Sequence, residues 1–447
     1  MPGAERHRAK AGADWADWAF LALLSAIAVL GFLGQSLPAI LLQPIKLDLD
    51  LSDVEIGLFN GLAVTLAGAL AAFPIGLAAD RFGRSLVLAA SVLVWSVFVV
   101  VLGMAQGVAG YGAGLIGFNL GDAAMLPLIY AMVAARFDNS RRELANGILV
   151  AVILLSSSGI FAVGGLLLQA FEANPVGELA PWRAVCLCVA VLGPLAALPL
   201  LAARRAQRHA EPELPRAERT PDASYGRFLR ENGLFVAALM VAVSVFYIAY
   251  SVFMFWLPAI LERAFGMAAA EANLAIGRVM FAGTLAAILA TLAFLKPIRR
   301  RWGHGAPLYL VIIGCILVLL PACALFFASS GDTFLLLVGL LSFGMGVSMM
   351  LVPGLLQSCA PDRFRSRTIA LFPIMSAAMR IALPALIGAL STRYGEDGRT
   401  LLEIVTWVLM VCFAFSIAAL SLIAPRFAEF ARRNLAGDSR LPEALPR

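Results

Sequence analysis

The stretch GLAADRFGR, Gly76–Arg84, lies between two long apolar segments and carries both acidic and basic side chains. Charged side chains are costly in hydrocarbon, so a chain with this pattern leaves the membrane here and re-enters it at once. Gly76 and Gly83 permit close helix approach and a tight turn, while Asp80 supplies a fixed anion that suits the N-terminus of another helix. The stretch therefore predicts a hairpin between two transmembrane helices.

The composition of the whole chain also indicates a lipid environment. Of its 447 residues, 61% are hydrophobic and 14% are charged, against roughly 25% charged residues in an ordinary soluble domain. Windows about 19 residues wide identify apolar segments long enough to cross a bilayer. We predict an all-α membrane protein with twelve transmembrane helices. The predicted spans are 18–42, 56–79, 85–104, 110–135, 145–170, 183–203, 233–258, 273–296, 305–327, 333–357, 367–392 and 400–424.

The basic residues are distributed unevenly among the predicted loops. Most of the 34 Lys and Arg residues fall in the N-terminal segment, in alternate loops and in the C-terminal segment. Because basic loops stay in the cytoplasm, we predict that both termini are cytoplasmic. The net charge of +6 then reports topology, and we expect no nucleic-acid partner. The basic residues that this topology places on the opposite side are Lys46, Arg183, Arg263, Arg393 and Arg399.

An internal repeat appears when the chain is shifted by 220 residues. LPAIL at Leu37–Leu41 then falls on LPAIL at Leu257–Leu261, and Gly57 falls on Gly277. Two homologous halves are typical of transporters built from parallel repeats. We therefore predict two pseudo-symmetric six-helix bundles joined by a charged, proline-containing linker. The predicted boundaries are 1–203 for the N-terminal bundle, 204–231 for the cytoplasmic linker, 232–425 for the C-terminal bundle and 426–447 for a cytoplasmic tail.

The pattern Gly-x-x-x-Asp-Arg-x-Gly-Arg, between the second and third predicted spans, resembles the cytoplasmic loop signature of the major facilitator superfamily. The resemblance implies a transporter that works by alternating access. It also implies a cytoplasmic gate in which Asp80 meets the start of the eleventh helix, near Ser366–Thr368. The implied gate residues are Gly76, Asp80, Arg81, Gly83 and Arg84.

Two further stretches resemble the spinster-like branch of this superfamily. GDAAMLP at Gly121–Pro127 is similar to the Gly-Glu-Ala motif of its fourth helix, with Asp122 in place of the Glu. FLGQSLPAILLQPIK at Phe32–Lys46 is similar to its first helix, but Gly34 and Gln35 stand where those relatives carry an Asp-Arg pair. The scaffold match covers almost the whole chain, whereas the charged residues implied for proton coupling are mostly missing.

Asp122, Arg278 and Arg380 are the charged residues that the predicted spans place at membrane depth. A charge near the bilayer centre costs at least about 2.5–3.5 kcal/mol without a partner or water, so a functional role is the default. The alternative is a structural ion pair or interhelical hydrogen bond. Burial of Asp122 without an arginine disfavours its charged form, so it could cycle a proton. We hypothesise that Asp122 is the proton carrier of a symporter or antiporter; an uncoupled facilitator is the rival hypothesis.

Arg278 and Arg380 both belong to the second half of the chain. Paired guanidinium groups suit a carboxylate or phosphate, because they offer forked donors that are always charged. The sequence therefore favours a small organic anion, or an amphiphile with an anionic head, as the substrate. Uncharged polar residues could complete the pocket, although bridging between helices explains them equally well. These candidates are Gln35, Asn60, Asn119, Tyr247 and Tyr250.

Other classes of protein find little support in the sequence. The six Cys residues lack paired ligand spacing and the three His residues fall in cytoplasmic segments, so we expect neither a metal nor a cofactor. Absence of a Walker-type loop, HExxH and Gly-x-Ser-x-Gly argues against an ATP-driven pump or an enzyme. A membrane sensor on the same fold would need a signalling domain, for which the predicted tails are too short. We expect a monomer in a bacterial inner membrane, with a small solute, a proton or other coupling ion, and membrane lipids as partners.

Overall fold

The computed structural model of the chain describes residues 2–137, 139–207, 223–357, 359–360, 364, 368 and 371–435. Over these residues the chain forms α-helices, one 3-10 turn at Gly303–Gly305 and no β-strand. The helices are α1 (Pro2–Ile40), α2 (Leu42–Leu49), α3 (Asp53–Phe82), α4 (Arg84–Gly103), α5 (Val108–Asp122), α6 (Met125–Arg136), α7 (Asn139–Ala173), α8 (Pro181–Gln207), α9 (Ala223–Phe265), α10 (Ala269–Trp302), α11 (Ala306–Leu325), α12 (Gly331–Gln357), α13 (Leu371–Tyr394) and α14 (Gly398–Leu435).

Nearly all of these helices are long and apolar enough to cross a membrane. Eleven candidate spans occur in the described residues, and α5 and α6 together form one of them. The helix α3 has 30 residues, which reach about 45 Å at about 1.5 Å per residue, more than the roughly 30 Å of the hydrocarbon core. Each predicted span corresponds to one of these eleven or to α3. The predicted all-α organisation with twelve spans is therefore confirmed.

The helix α5 packs against α4 at backbone distance. Gly114, Gly117 and Gly121 share one face of α5, because they are spaced by three and four residues. A Cβ atom at Gly114 would fall 2.7 Å from the Cα of Leu102, and one at Gly121 would fall 2.6 Å from the carbonyl oxygen of Ser91. Small residues let helix backbones approach closely in lipid. This contact fixes the backbone immediately before Asp122.

The hydrogen bonds of the span that contains Asp122 are interrupted near its middle. The helix α5 ends at Asp122 and α6 begins at Met125. Pro127, in the first turn of α6, has no N–H to donate to the carbonyl of Ala123, so the helical hydrogen bonds cannot continue through this point. Ala123 and Ala124 keep right-handed helical backbone angles, so α5 and α6 continue as one span with a local irregularity next to Asp122.

By internal packing the chain divides into two compact units. The ends of α9 and α13 and the start of α10 belong to unit 1 together with α1–α8. Unit 1 comprises Met1–Arg216, Leu257–Arg278 and Pro384–Glu396, and unit 2 comprises Ala217–Trp256, Val279–Leu383 and Asp397–Arg447. The predicted boundaries of the linker, 204–231, and of the tail, 426–447, stay predictions, since residues 208–222 and 436–447 lie outside the described part of the chain.

Each unit contains an arginine that caps the C-terminal end of a helix. In unit 1, Arg183 at the start of α8 donates to the carbonyl oxygens of Gly103 and Ala105, just at the end of α4, at 3.1 and 2.7 Å. In unit 2, Arg399 at the start of α14 donates to two carbonyl oxygens that follow α11, at 2.6 and 3.1 Å. A positive charge at a helix C-terminus is favourable. These contacts give a structural role to two of the basic residues predicted on the non-cytoplasmic side.

Candidate functional site

The carboxylate of Asp122 contacts α1. Gln35 of α1 donates from Nε2 to Oδ2 of Asp122 at 2.6 Å. The helix α1 admits the carboxylate because Gly31 has no side chain: a Cβ atom there would fall 2.6 Å from Oδ1. Asp122 is half-buried and Gln35 is exposed, and among the described residues no cation pairs with Asp122. The structure thus joins two of the sequence-predicted site residues around a carboxylate that lacks a positive partner in the part of the chain that the structure describes.

Asn60 and Asn119 are engaged in hydrogen bonds within unit 1. Asn60 donates to the hydroxyl of Tyr111 at 2.9 Å and to the carbonyl oxygen of Ile56 at 2.8 Å. Asn119 is buried and donates to the carbonyl oxygen of Leu115 in its own helix, at 2.8 Å. Both amides therefore serve helix packing in this structure, and their part in a binding pocket stays a prediction.

The remaining pocket candidates are divided between the units. Tyr247, Tyr250 and Arg380 belong to unit 2, whereas Arg278 belongs to unit 1. The Tyr250 hydroxyl donates to Ser342 at 3.1 Å, and the side chain of Tyr247 is exposed. Arg278 is exposed and Arg380 is half-buried, and neither forms an ion pair with another described residue. The part of both guanidinium groups in binding an anion stays a prediction.

The Gly76–Arg84 stretch forms the turn between α3 and α4. Gly83 is the single residue between the two helices and has a φ of 86°, in a region that favours glycine. The side chains of Asp80 and Arg81 are exposed. The partner predicted for Asp80, at 366–368, lies largely outside the described residues. The cytoplasmic gate therefore stays a prediction.

Four charged residues meet where α3 begins and where α9 and α13 end. They are named here the charged cluster and consist of Lys46, Asp53, Arg263 and Glu396. Asp53 is fully buried; Arg263 donates to both of its carboxylate oxygens, at 2.7 and 2.9 Å, and Lys46 donates to it at 2.6 Å. Glu396 accepts from Lys46 and, at 3.2 Å, from the backbone N–H of Asp53. Two positive and two negative charges thus balance around one buried carboxylate, that of Asp53.

Local sequence fixes the position of Asp53. Ser52 and Glu55 form a capping box, in which the Ser52 hydroxyl accepts from the backbone of Glu55 and the Glu55 carboxylate accepts from the backbone of Ser52. Asp53 is therefore the first residue of α3, where the helix dipole favours a negative charge. Ser391 of α13 adds a hydrogen bond to Asp53 at 2.6 Å. Through this one carboxylate, α3 is joined to both α9 and α13.

Glu396 lies in the short connection between α13 and α14. Burial opposes its ionisation, but hydrogen bonds from Lys46, Thr392 and the Asp53 backbone outweigh burial and hold the pKa of Glu396 below its ordinary value. Its backbone has a φ of 50°, which is uncommon for a residue other than glycine. Glu396 is therefore ionised at neutral pH and completes the charge balance of the charged cluster.

Composition and spacing did not predict the charged cluster, because its members lie at span ends and in loops, where charges are ordinary. Gln43 and Arg263 are equivalent positions of the repeat, and Arg263 Nε donates to Gln43 Oε1 at 2.8 Å. The spacing of 220 residues gives no signal for this contact, because every residue of one half has a counterpart at that distance.

Comparison with known proteins defines the family. Residues 24–384 match the Major Facilitator Superfamily, and the chain belongs to this family of membrane transporters. A curated relative is an MFS-type efflux pump of Mycolicibacterium smegmatis (strain ATCC 700084 / mc(2)155). It is 27% identical over 394 residues, which cover 85% of this chain and 87% of the relative. The predicted superfamily is therefore confirmed.

Solved structures of other transporters have the same fold. A bacterial homologue of the human lysosomal transporter Spinster, in its inward-facing and unoccupied conformation, gives a TM-score of 0.68 at 19% identity and covers 96% of this chain and 99% of its own. The xylose transporter XylE from E. coli gives a TM-score of 0.65 at 14% identity, over 91% and 95% of the two chains. The chain thus has the all-α fold of the superfamily and is a multi-pass membrane protein.

Proposed function

We propose that this protein is a proton-coupled secondary transporter of a small organic solute. It works by alternating access in a bacterial inner membrane, with both termini in the cytoplasm. One observation carries the proposal: the Asp122 carboxylate lies in the middle of a membrane-crossing segment, accepts a hydrogen bond from Gln35 and has no cation partner among the described residues. Carboxylates at membrane depth serve as proton relays in pumps and transporters. Asp122 is the residue suited to that task here.

The charged cluster supports the alternating-access part of the proposal. It connects Lys46 and Asp53, from the first half of the chain, to Arg263 and Glu396, from the second half. The contacts are ion pairs and hydrogen bonds that can break and re-form together. Alternating access moves one repeat against the other around a fixed site, so access from the non-cytoplasmic side requires this cluster to separate.

The proposed substrate is an organic anion or an amphiphile with an anionic head. Arg278 and Arg380 support this choice, because both lie in membrane-crossing helices and neither has an ion-pair partner among the described residues. A guanidinium group binds carboxylate or phosphate through paired donors. The M. smegmatis relative is named as an efflux pump, which favours export and hence exchange of the solute against protons.

The coupling is tested in liposomes that contain the purified protein. A thermal-shift screen of organic anions first identifies a ligand, since binding to the folded protein raises its melting temperature. Asp122→Asn should then abolish accumulation of that ligand driven by a pH gradient while leaving its downhill flux. Asp48→Asn, at a half-exposed carboxylate outside the site, is the matched control. Accumulation that survives in Asp122→Asn would show the proposal to be wrong.

The anionic substrate is tested by Arg380→Gln, which keeps hydrogen-bond donors and removes the charge. The thermal shift caused by the identified anion should be lost, because charge-assisted hydrogen bonds are about twice as strong as neutral ones. Arg393→Gln, near the end of α13, is the control for the loss of a cation from the same helix. An unchanged shift in Arg380→Gln would remove the argument for an anion.

An uncoupled facilitator is the second candidate function. The observation that favours it is the neutral Gln35, which is the described hydrogen-bond partner of Asp122 in place of a charged one. In that case the flux of the wild-type protein would not respond to a pH gradient, and Asp122→Asn would transport as the wild type does.

A further inference from the structure

The indole of Trp95 is a second polar group that lies against α1, the helix that the Asp122 carboxylate contacts. Its side chain is fully buried within unit 1, and its indole Nε1–H has no hydrogen-bond partner among the described atoms. A buried donor without a partner costs about 1–3 kcal/mol. Such a group in a native structure requires an explanation, for example a partner that moves.

The indole Nε1 of Trp95 lies against α1 one turn away from the Asp122 contact. A Cβ atom at Gly34 would fall 2.3 Å from Nε1, just as one at Gly31 would fall 2.6 Å from Oδ1 of Asp122. Residues three apart on a helix are neighbours on one face, with about 5–6 Å between their Cβ positions. The indole N–H and the carboxylate therefore occupy adjacent places against the same face of α1.

The helices that carry the two groups are in backbone contact at this level. A Cβ atom at Gly121 would fall 2.6 Å from the backbone nitrogen of Trp95, so the residue before Asp122 touches the residue that bears the indole. The helix backbones are held by this contact, but the carboxyl group can change rotamer. A rotation of the Asp122 side chain is the movement that would bring a carboxylate oxygen to Nε1.

We propose that the indole N–H of Trp95 is the second hydrogen-bond donor of the Asp122 proton site. The proton-free carboxylate accepts from both Gln35 and Trp95; when the carboxylate gains a proton it releases Trp95 and keeps Gln35, which is the arrangement in the structure. This inference rests on the proposed role of Asp122 in proton coupling. Trp95 is a positioning residue, since it acts through the carboxylate.

Two neutral donors suit a group that must both lose and regain a proton. An arginine beside Asp122 would strongly favour its charged form, whereas an amide and an indole N–H stabilise that charge more weakly. Gln35 of α1 contacts the carboxylate, Met125 of α6 lies beside it at Gly31, and Trp95 of α4 lies at the neighbouring Gly34. Among the described residues of these elements, none that contacts Asp122 is titratable or charged.

The test is the intrinsic tryptophan fluorescence of the full-length protein in detergent, followed from acid to alkaline pH. The emission of the wild type should show one proton-dependent step, because the hydrogen bond to Nε1 changes with the protonation of Asp122. The step should vanish in Trp95→Phe and in Asp122→Asn. It should persist in Trp256→Phe, the matched control, which removes another fully buried indole with an unpaired N–H.

Asp122→Asn keeps the test decisive if Trp95→Phe fails to fold, since it leaves the buried indole in place. A wild-type emission that does not titrate, or a step that survives in Asp122→Asn, overturns the inference. Transport assays address the proposed function separately. If flux ignores a pH gradient while the tryptophan step behaves as expected, the proposed coupling is wrong and the contact between Trp95 and Asp122 stands.

A second readout is the pH at which proton-driven transport is half-maximal. Trp95 donates to the charged form of Asp122, so its removal makes the carboxyl hold its proton to higher pH. In Trp95→Phe the half-maximal pH should rise by about one unit or more, the size expected for one hydrogen bond to a charged group. A purely structural role for Trp95 would lower activity equally at every pH, and that result would contradict the inference.

Discussion

Positions 53 and 273 are equivalent in the repeat, and both are fully buried in unit 1. Asp53 is a carboxylate held by Arg263 and Lys46. Asn273 is a neutral amide that donates to the carbonyl oxygen of Ile40 at 2.9 Å and to that of its own helical turn at 2.8 Å. Position 53 therefore belongs to a cluster of four balanced charges, whereas the equivalent position 273 forms two neutral hydrogen bonds.

The backbone packing beside these two positions is alike. Gly57 and Gly277 are also equivalent in the repeat, and each follows its polar residue by one turn. A Cβ atom at Gly57 would fall 2.3 Å from the carbonyl oxygen of Pro384, and one at Gly277 would fall 2.2 Å from the backbone nitrogen of Ala162. Packing thus sets where the helices meet in both halves. Of the two equivalent positions, 53 has a charged residue and 273 a neutral one. We therefore expect the contacts of Asp53 to be the more sensitive to mutation and pH.

Asp53→Ala should give the largest effect. The positive charges of Arg263 and Lys46 then lose the buried carboxylate that compensates them. Removal of one partner of a buried ion pair costs about 3–5 kcal/mol. The melting temperature of the purified protein should fall accordingly in a thermal unfolding experiment. Asp48→Ala is the control, since Asp48 pairs with Arg183 at the surface, where an ion pair contributes about 0–1 kcal/mol. Equal losses in the two variants would show that burial of the charged cluster is unimportant.

Gly57→Val and Gly277→Val should come next and should resemble each other. Each introduces a side chain where a backbone atom already lies, and overpacking of this kind costs about 1–3 kcal/mol. Thermal unfolding of both variants measures the loss. Gly68→Ala is the control, because no atom lies within 4 Å of a Cβ at that position. If Gly277→Val kept the wild-type melting temperature while Gly57→Val lowered it, the backbone packing at the two equivalent positions would not be alike.

Asn273→Ala should have a smaller effect than Asp53→Ala. It removes a neutral hydrogen bond to Ile40, and such a bond contributes about 1 kcal/mol. No charge is left without a partner, because the side chain of Asn273 is neutral. The two variants are compared by thermal unfolding at neutral pH and equal salt. A loss as large as that of Asp53→Ala would remove the contrast between the charged and the neutral side.

Acidification should reduce the contribution of the charged cluster to stability. The reduction should be smallest near neutral pH, where Glu396 stays ionised. The pKa of Glu396 is lowered in the folded protein, so its contribution is complete above the ordinary carboxyl pKa of about 4.3 and is lost as pH falls through the folded value. The difference in melting temperature between wild type and Glu396→Gln should therefore shrink in acid. Glu403→Gln, an exposed partner of Arg399, is the control. A difference that grows in acid would contradict the sign.

Much of the fold followed from local patterns. The twelve spans could be predicted because hydropathy over about 19 residues reports membrane crossing without reference to any partner. The repeat could be predicted from LPAIL at Leu37–Leu41 and Leu257–Leu261. The hairpin at Gly83 also agrees with its sequence, since one glycine with positive φ separates α3 from α4.

The candidate site was only partly predictable. Asp122 and Gln35 could each be named from the sequence, because a polar residue inside an apolar span is visible by itself. That they hydrogen-bond to each other, and that Gly31 makes room for the carboxylate, depends on how α1 lies against α5. Trp95 gave no signal, since a tryptophan in an apolar span is ordinary until its N–H is found without a partner.

The sequence by itself predicted a membrane protein of twelve spans in two related halves, and it identified one carboxylate at predicted membrane depth. Hydropathy and the repeat can be read along the chain itself, so they do not depend on how the helices pack. The tertiary structure decided which charges and donors meet: Lys46 with Glu396, Asp53 with Arg263, and Asp122 with Gln35. Such contacts join residues from about 90 to 350 positions apart, and their hydrogen bonds form only when donor and acceptor atoms lie within about 3.2 Å of each other. Only the packing of distant helices can therefore select them.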